Sequence, residues 1–530
     1  MKQNDLQRLI KIEDRIKQYV EEYGMKCLPV EFDIVPPQKM IEILAYRMPT
    51  NISNWKYGRD YERLKTVFDT VDPNLPLELV VHDNPSRAFL MNSNTLAVQV
   101  LVMAHVYAHV NFFTESKWYV NFREDIVEVL AAAQKRFNDY ERIYGLDEVE
   151  KTEDAGHALQ WHSSPFNQET EMERKKRVFE QMKKKKLPSR AVYGDIVRDT
   201  KKDVAEDYDV YNNRLWRKIL ATTPIEPTED ILRFIIDNSR ILEDWQKDIL
   251  EILRMEGQYF WPYSKTKYMN EGWATYWHNI FMNRLFDEGL LTAEEHGQYN
   301  YSNSLVKATN KMGMNPYLVG SEMWKEIEER WNKGRYGTDY DNCTDAKTKE
   351  NWDTKEMKGR EKMFEVMRSY TDWFFMQDFL TVDLIDKLDL YIYQIMETVA
   401  SIDYVRTNHT VEQVRELIIN SFANSGIPKI EIVNGNLDKG GHLELVHRYN
   451  GIPLHKKYAQ ETLKHIYYLW GRPVTLKTFT RDKKTGKDKE LYYTEDGTVS
   501  PPASSENMEA SDNPFSTFHF DMMDLAPISL

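Results

Sequence analysis

The chain has 530 residues, 41% of them hydrophobic and 29% charged; 70 Lys+Arg against 84 Asp+Glu leave a net charge of −14. This is a globular composition with apolar material for a large core, enough for roughly two to four domains. The acidic balance disfavours non-specific nucleic-acid binding, which needs a basic face. Two cysteines, Cys27 and Cys343, cannot build a disulfide framework or a Cys-rich zinc site and suit a reducing cytosol. The charged, amphipathic first residues lack the apolar region of a signal peptide, so a cytoplasmic protein is expected.

In chain order, apolar residues at helical spacing predict a helix over Leu6–Tyr23. A second short helix is expected over Pro37–Arg47 and a strand over Leu77–Val81. Asn94 to Phe113 is mostly apolar and too long for one strand, so it reads as a buried helix. Its apolar core, Leu96–Val110, carries Gln99, His105, Tyr107 and His109 and reads as too short and polar to span a bilayer. Thr114–Asp199 is charge-rich, with a lysine run at Lys183–Lys186 that reads as a solvated face. Thr228–Phe260 is expected to be helical and to stop at Pro262. Helices follow over Met269–Leu285 and Gly320–Trp331, then an exposed loop over Asn332–Gly359.

Near Thr410 the pattern changes. A helix over Val411–Ala423, strands over Lys429–Val433 and Leu443–Arg448, a helix over His455–Trp470 and strands over Pro473–Phe479 and Lys489–Tyr493 give the order αββαββ. Beyond Asp496 a Ser/Pro/Glu/Asn-rich stretch predicts disorder. It ends in an apolar cluster between Pro514 and Leu525, which reads as a docking segment, either for a partner or folded back on its own domain, against plain disorder. The expected fold is therefore mainly α with a smaller α+β C-terminal module: 1–400 helical, 410–495 α+β, 496–530 a tail.

The first candidate for chemistry is Ala104-His105-Val106-Tyr107-Ala108-His109-Val110. Histidines at i and i+4 share one helix face and can chelate one metal, as in zincins. A zincin carries Glu at the second position; here it is Val106, so a hydrolytic base must come from elsewhere. The second candidate is Met269-Asn270-Glu271-Gly272-Trp273-Ala274-Thr275-Tyr276-Trp277-His278. Glu271 is a lone carboxylate in an aromatic run, where it is costly without a partner. It and His278 lie two turns apart on one face, placed to meet His105 and His109 around zinc, with Glu271 as the third ligand. Gly272 and Ala274 are small enough to let another helix approach. His157, flanked by Ala155, Gly156 and Ala158, is a further candidate ligand. The alternative at each position is a buried histidine or carboxylate satisfied by hydrogen bonds. His82, His447 and His455 read as ordinary histidines and Cys27 as structural. The chain shows no Walker loop, GxGxxG, GxSxG or CxxC.

Together, LVMAHVYAHVNFF, MNEGWATYWH, MNPYLVG and LWGRPVTLKT resemble the SpoVR family, stage V sporulation protein R, over roughly residues 8 to 480. The resemblance implies a cytosolic bacterial protein linked to spore cortex formation or to stress responses. It implies as partners a PrkA-type serine protein kinase and a von Willebrand A-like protein, without supplying a reaction. The chain departs from the family's pattern at Ala108, Asn111 and Thr114-Glu115-Ser116, but keeps the histidines and Glu271.

Two functions follow. One is a zinc-dependent hydrolase of an amide or peptide bond, with Glu271 at the metal and Glu115, Glu124 or Tyr107 available for proton transfer. The other is a non-catalytic regulatory or scaffold protein in which the cluster is structural.

Overall fold

The computed structural model describes residues 3–70, 78–163, 165–166, 169–185, 200–309, 311, 313–397, 402–437, 439–481, 487–494, 496 and 499–500. The tail and its apolar cluster, and the lysine run at its last residue, lie outside the described residues. The described chain is mostly helical with a C-terminal sheet. Among the described residues two compact units emerge, one within 1–138 and 259–427, the other within 139–258 and 428–500.

In the first unit, strand Val30–Val35 pairs in parallel with Ser86–Met91, which pairs antiparallel with Leu79–Val81. The chain then enters helix Leu96–Glu115, capped by the Thr95 side chain accepting from the Val98 N–H. This helix is long and apolar enough to cross a membrane, longer than the 15-residue stretch the composition picked out. However, 94% of its apolar window is buried inside the protein. Apolar residues cover its whole circumference because protein surrounds it on every side.

Helix Lys267–Asp287 is also buried nearly all round. Its N-terminus is capped from a distance: the Asp372 carboxylate accepts from the Tyr268 and Met269 N–H groups, each at 2.9 Å. Burial raises the Asp372 carboxyl to about 7 even so. Helix Pro316–Asn332, capped by Asn315 with proline at its first position, crosses it at two glycines. A Cβ on Gly272 would lie 2.3 Å from the Gly320 carbonyl carbon, and one on Gly320 2.2 Å from the Tyr268 carbonyl oxygen. The small-residue contact expected around Gly272 and Ala274 thus falls at Gly272.

Two expectations change. The helical stretch from Thr228 breaks into Ile231–Asn238 and Asp244–Lys265, because Ser239 leaves helical geometry to cap the first piece. Pro262 does not stop the second piece but lies within its last turn, so only a single further turn of helix follows it. The stretch 332–359 contains two short helices, Thr338–Asp341 and Ala346–Glu350.

The second unit holds the sheet. Strand Ile430–Leu437 pairs antiparallel with His442–His447, which pairs in parallel with Val474–Arg481; Asp488–Thr494 then adds antiparallel. Helix Lys456–Trp470 makes the parallel crossover. The sheet shares one core with helical residues: Ile432, Leu443, Leu445 and Leu476 of the strands cluster with Leu463 and Leu469 of the crossover helix and with Leu159, Leu232, Ile235 and Leu250. Helix Val411–Ser421, read from the sequence as the opening of the α+β module, falls in the first unit.

Candidate metal centre

Four side chains meet inside the first unit. His105 and His109 project from one face of helix Leu96–Glu115, and Glu271 comes from the first turns of helix Lys267–Asp287. Glu78 stands just before strand Leu79–Val81, whose pairing with Ser86–Met91 sets it beside the histidine helix. One ligand atom from each of the four lies within 4.8 Å of all the others. His105 Nε2 is 3.1 Å from Glu78 Oε1 and 3.5 Å from Glu271 Oε2. His109 Nε2 is 3.5 Å from the Glu78 oxygen and 3.4 Å from the Glu271 oxygen. All four residues are at most 5% exposed.

The other ring nitrogens are occupied from behind. His109 Nδ1 is 2.9 Å from Asn270 Oδ1, and His105 Nδ1 is 2.8 Å from His278 Nδ1. Toward the centre, His105 Nε2, His109 Nε2 and Glu271 Oε2 are buried without a hydrogen-bond partner. Burial works against a charged His109, but the Glu271 carboxylate, with Glu78 beside it, overrides this and pushes the group up to about 10. Burial likewise opposes an ionised Glu271, yet the neighbouring His109 and His105 hold it well below the usual carboxylate range.

The pairing of His105 and His109 with Glu271 expected from the two sequence motifs is therefore present in space. His278 adjoins it but faces the back of the His105 ring, and its Nε2 is engaged by Asn303 Oδ1 at 3.1 Å. His157 belongs to the second unit, its Nδ1 bonded to Gln160 Oε1. Glu115 is tied to Arg368, Asn111 and the Lys26 N–H. Glu124 is exposed in a turn. Tyr107 points its hydroxyl to Glu13, as a residue two positions from His105 on a helix must. Sequence reasoning missed Glu78. Its signal was the one used for Glu271: in Leu77-Glu78-Leu79-Val80-Val81 a lone carboxylate interrupts an apolar run. Asn111 bridges the two helices by accepting from Trp273 Nε1 at 3.0 Å.

The profile of the family described as SpoVR like protein matches residues 3–427, and that of the SpoVR-like C-terminal domain matches 428–481. The chain belongs to the SpoVR family. It is similar to the uncharacterized protein YcgB of Escherichia coli (strain K12), 27% identical over 492 residues that cover 87% of this chain and 89% of that protein. No solved structure matches it. The family's C-terminal profile begins at the residue where the second compact unit resumes, whereas the change of pattern in the sequence places the division near 400–410.

Proposed function

We propose that Glu78, His105, His109 and Glu271 hold one divalent zinc ion, and that this SpoVR-family protein is a metal-dependent hydrolase of an amide or peptide bond. On this reading it works in the cytoplasm in spore cortex formation or stress response, beside a PrkA-type serine protein kinase and a von Willebrand A-like protein. One observation carries the metal: two buried imidazole nitrogens and two buried carboxylates aim at one point, where His105 Nε2, His109 Nε2 and Glu271 Oε2 have no hydrogen-bond partner. Buried carboxylates without compensation are expensive, and mixed imidazole and carboxylate donors suit zinc.

Zinc held with an open position activates water for hydrolysis. The chain's own contribution is a pair of rings oriented from behind and a dry surrounding. Val106 denies the helix its zincin carboxylate, and Glu78 brings a second carboxylate to the same point from a strand. A non-catalytic reading is favoured by one feature: four buried protein ligands match a closed structural site.

The test is elemental analysis of purified protein, followed by complementation with Glu78→Gln and His109→Ala variants shown to be folded and bound to their partners. Loss of function with folding and binding intact supports catalysis. Full function in both variants overturns it in favour of the scaffold.

A further inference from the structure

We infer that His278 is a positioning residue of this site: backed by Asn303, it holds the His105 ring in the tautomer that presents Nε2 to Glu78 and Glu271 as a bare lone pair. This rests on the metal reading of the cluster. The Thr275 backbone carbonyl can only accept a hydrogen bond. Asn279 Nδ2 donates to it. Asn279 therefore presents Oδ1 to helix Ala293–Val306, where it accepts from Asn303 Nδ2 at 2.7 Å and from the Tyr299 hydroxyl.

With its amide nitrogen so used, Asn303 turns Oδ1 toward His278, 3.1 Å from Nε2. A carbonyl oxygen requires a donor, so His278 carries its proton on Nε2. A neutral His278 then has a lone pair on Nδ1, and the 2.8 Å contact with His105 Nδ1 requires His105 to donate from Nδ1. The proton of His105 is thereby fixed on the side away from the carboxylates. The links nearest His105 are buried: His278 is 1% and Asn303 7% exposed, so water does not substitute readily for a lost partner there.

A histidine ligand oriented by a hydrogen bond through its other nitrogen typically loses ~10–100-fold in metal affinity when that partner is removed. His278→Leu removes the acceptor. His278→Gln keeps an oxygen for His105 and an amide for Asn303. Zinc affinity of the full chain, measured by competition with a chromophoric chelator, is expected to fall ~10–100-fold in His278→Leu and to return to within a few-fold of wild type in His278→Gln.

Wild-type affinity in His278→Leu overturns the positioning role while leaving the metal reading intact. Absence of zinc binding by the wild type instead overturns the metal reading itself. If His278→Leu does not fold, the wild type decides: long-range ¹H–¹⁵N correlation of histidine-labelled protein is expected to show His278 protonated on Nε2 alone. A His278 protonated on Nδ1 overturns the proposal.

Discussion

His109 and His82 are both buried histidines of the first unit, and their surroundings drive them in opposite directions. His82 lies in an aromatic box, its ring 3.7 Å from that of Phe122 and 5.2 Å from that of Phe113. Neither of its nitrogens has a partner, and burial alone pushes it down to about 3. His109 stacks on the other side of the chemistry, parallel to the same Phe113 ring at 5.9 Å, yet two carboxylates push it up to about 10. Burial by itself makes a histidine inert; burial beside unpaired carboxylates makes it part of a site that demands positive charge.

The sharpest way to break this contrast is to delete each ring. His109→Ala is expected to lose the zinc, while His82→Ala retains about one ion per chain; metal analysis of both folded variants checks it. Zinc retained in His109→Ala would show that the carboxylates do not need the imidazole. A smaller effect is expected behind the ring. Asn270→Leu removes the acceptor at His109 Nδ1 and should weaken zinc by ~10–100-fold in chelator competition.

The frame that delivers Glu271 can be tested through its glycine crossing. Gly320→Ala puts a methyl against the Tyr268 carbonyl and should cost ~1–3 kcal/mol in a denaturant melt. An unchanged melt would mean that the two helices separate freely.

The dependence on pH carries a sign that distinguishes the two histidines. In metal-free protein His109 has a raised folded value. Its stabilising contribution is therefore complete below the ordinary histidine value and is lost as pH rises toward about 10. His82 has a lowered value, so its contribution is complete above the ordinary value and is lost as pH falls toward about 3. Because zinc must displace the His109 proton, its affinity should rise with pH from the ordinary histidine value toward about 10, about tenfold per unit for one proton. Affinity that is flat across neutral pH would remove His109 from the ligand set.

Much of the fold was legible because periodicity and burial share one cause. The strands and helices after residue 411 follow their hydrophobic pattern closely, and the two buried helices announced themselves by length and apolarity. The break at Ser239 and the helical turn kept at Pro262 were not legible, since each depends on hydrogen bonds made locally against the average preference. The first unit's small sheet was seen only at Leu79–Val81. Its central strand Ser86–Met91 is buried on both faces and shows no alternation of apolar and polar residues.

From the sequence alone came the two histidines four apart, the costly carboxylate at Glu271 and the family resemblance, because each is a local property of a helix face or of a string of residues. Only the tertiary structure brought in Glu78, moved His278 behind His105, and set His157, Glu115 and Glu124 elsewhere. Residues separated by tens to hundreds of positions become neighbours only through strand register and helix crossing. A metal ligand drawn from a strand leaves no periodic trace beside its partners on a helix.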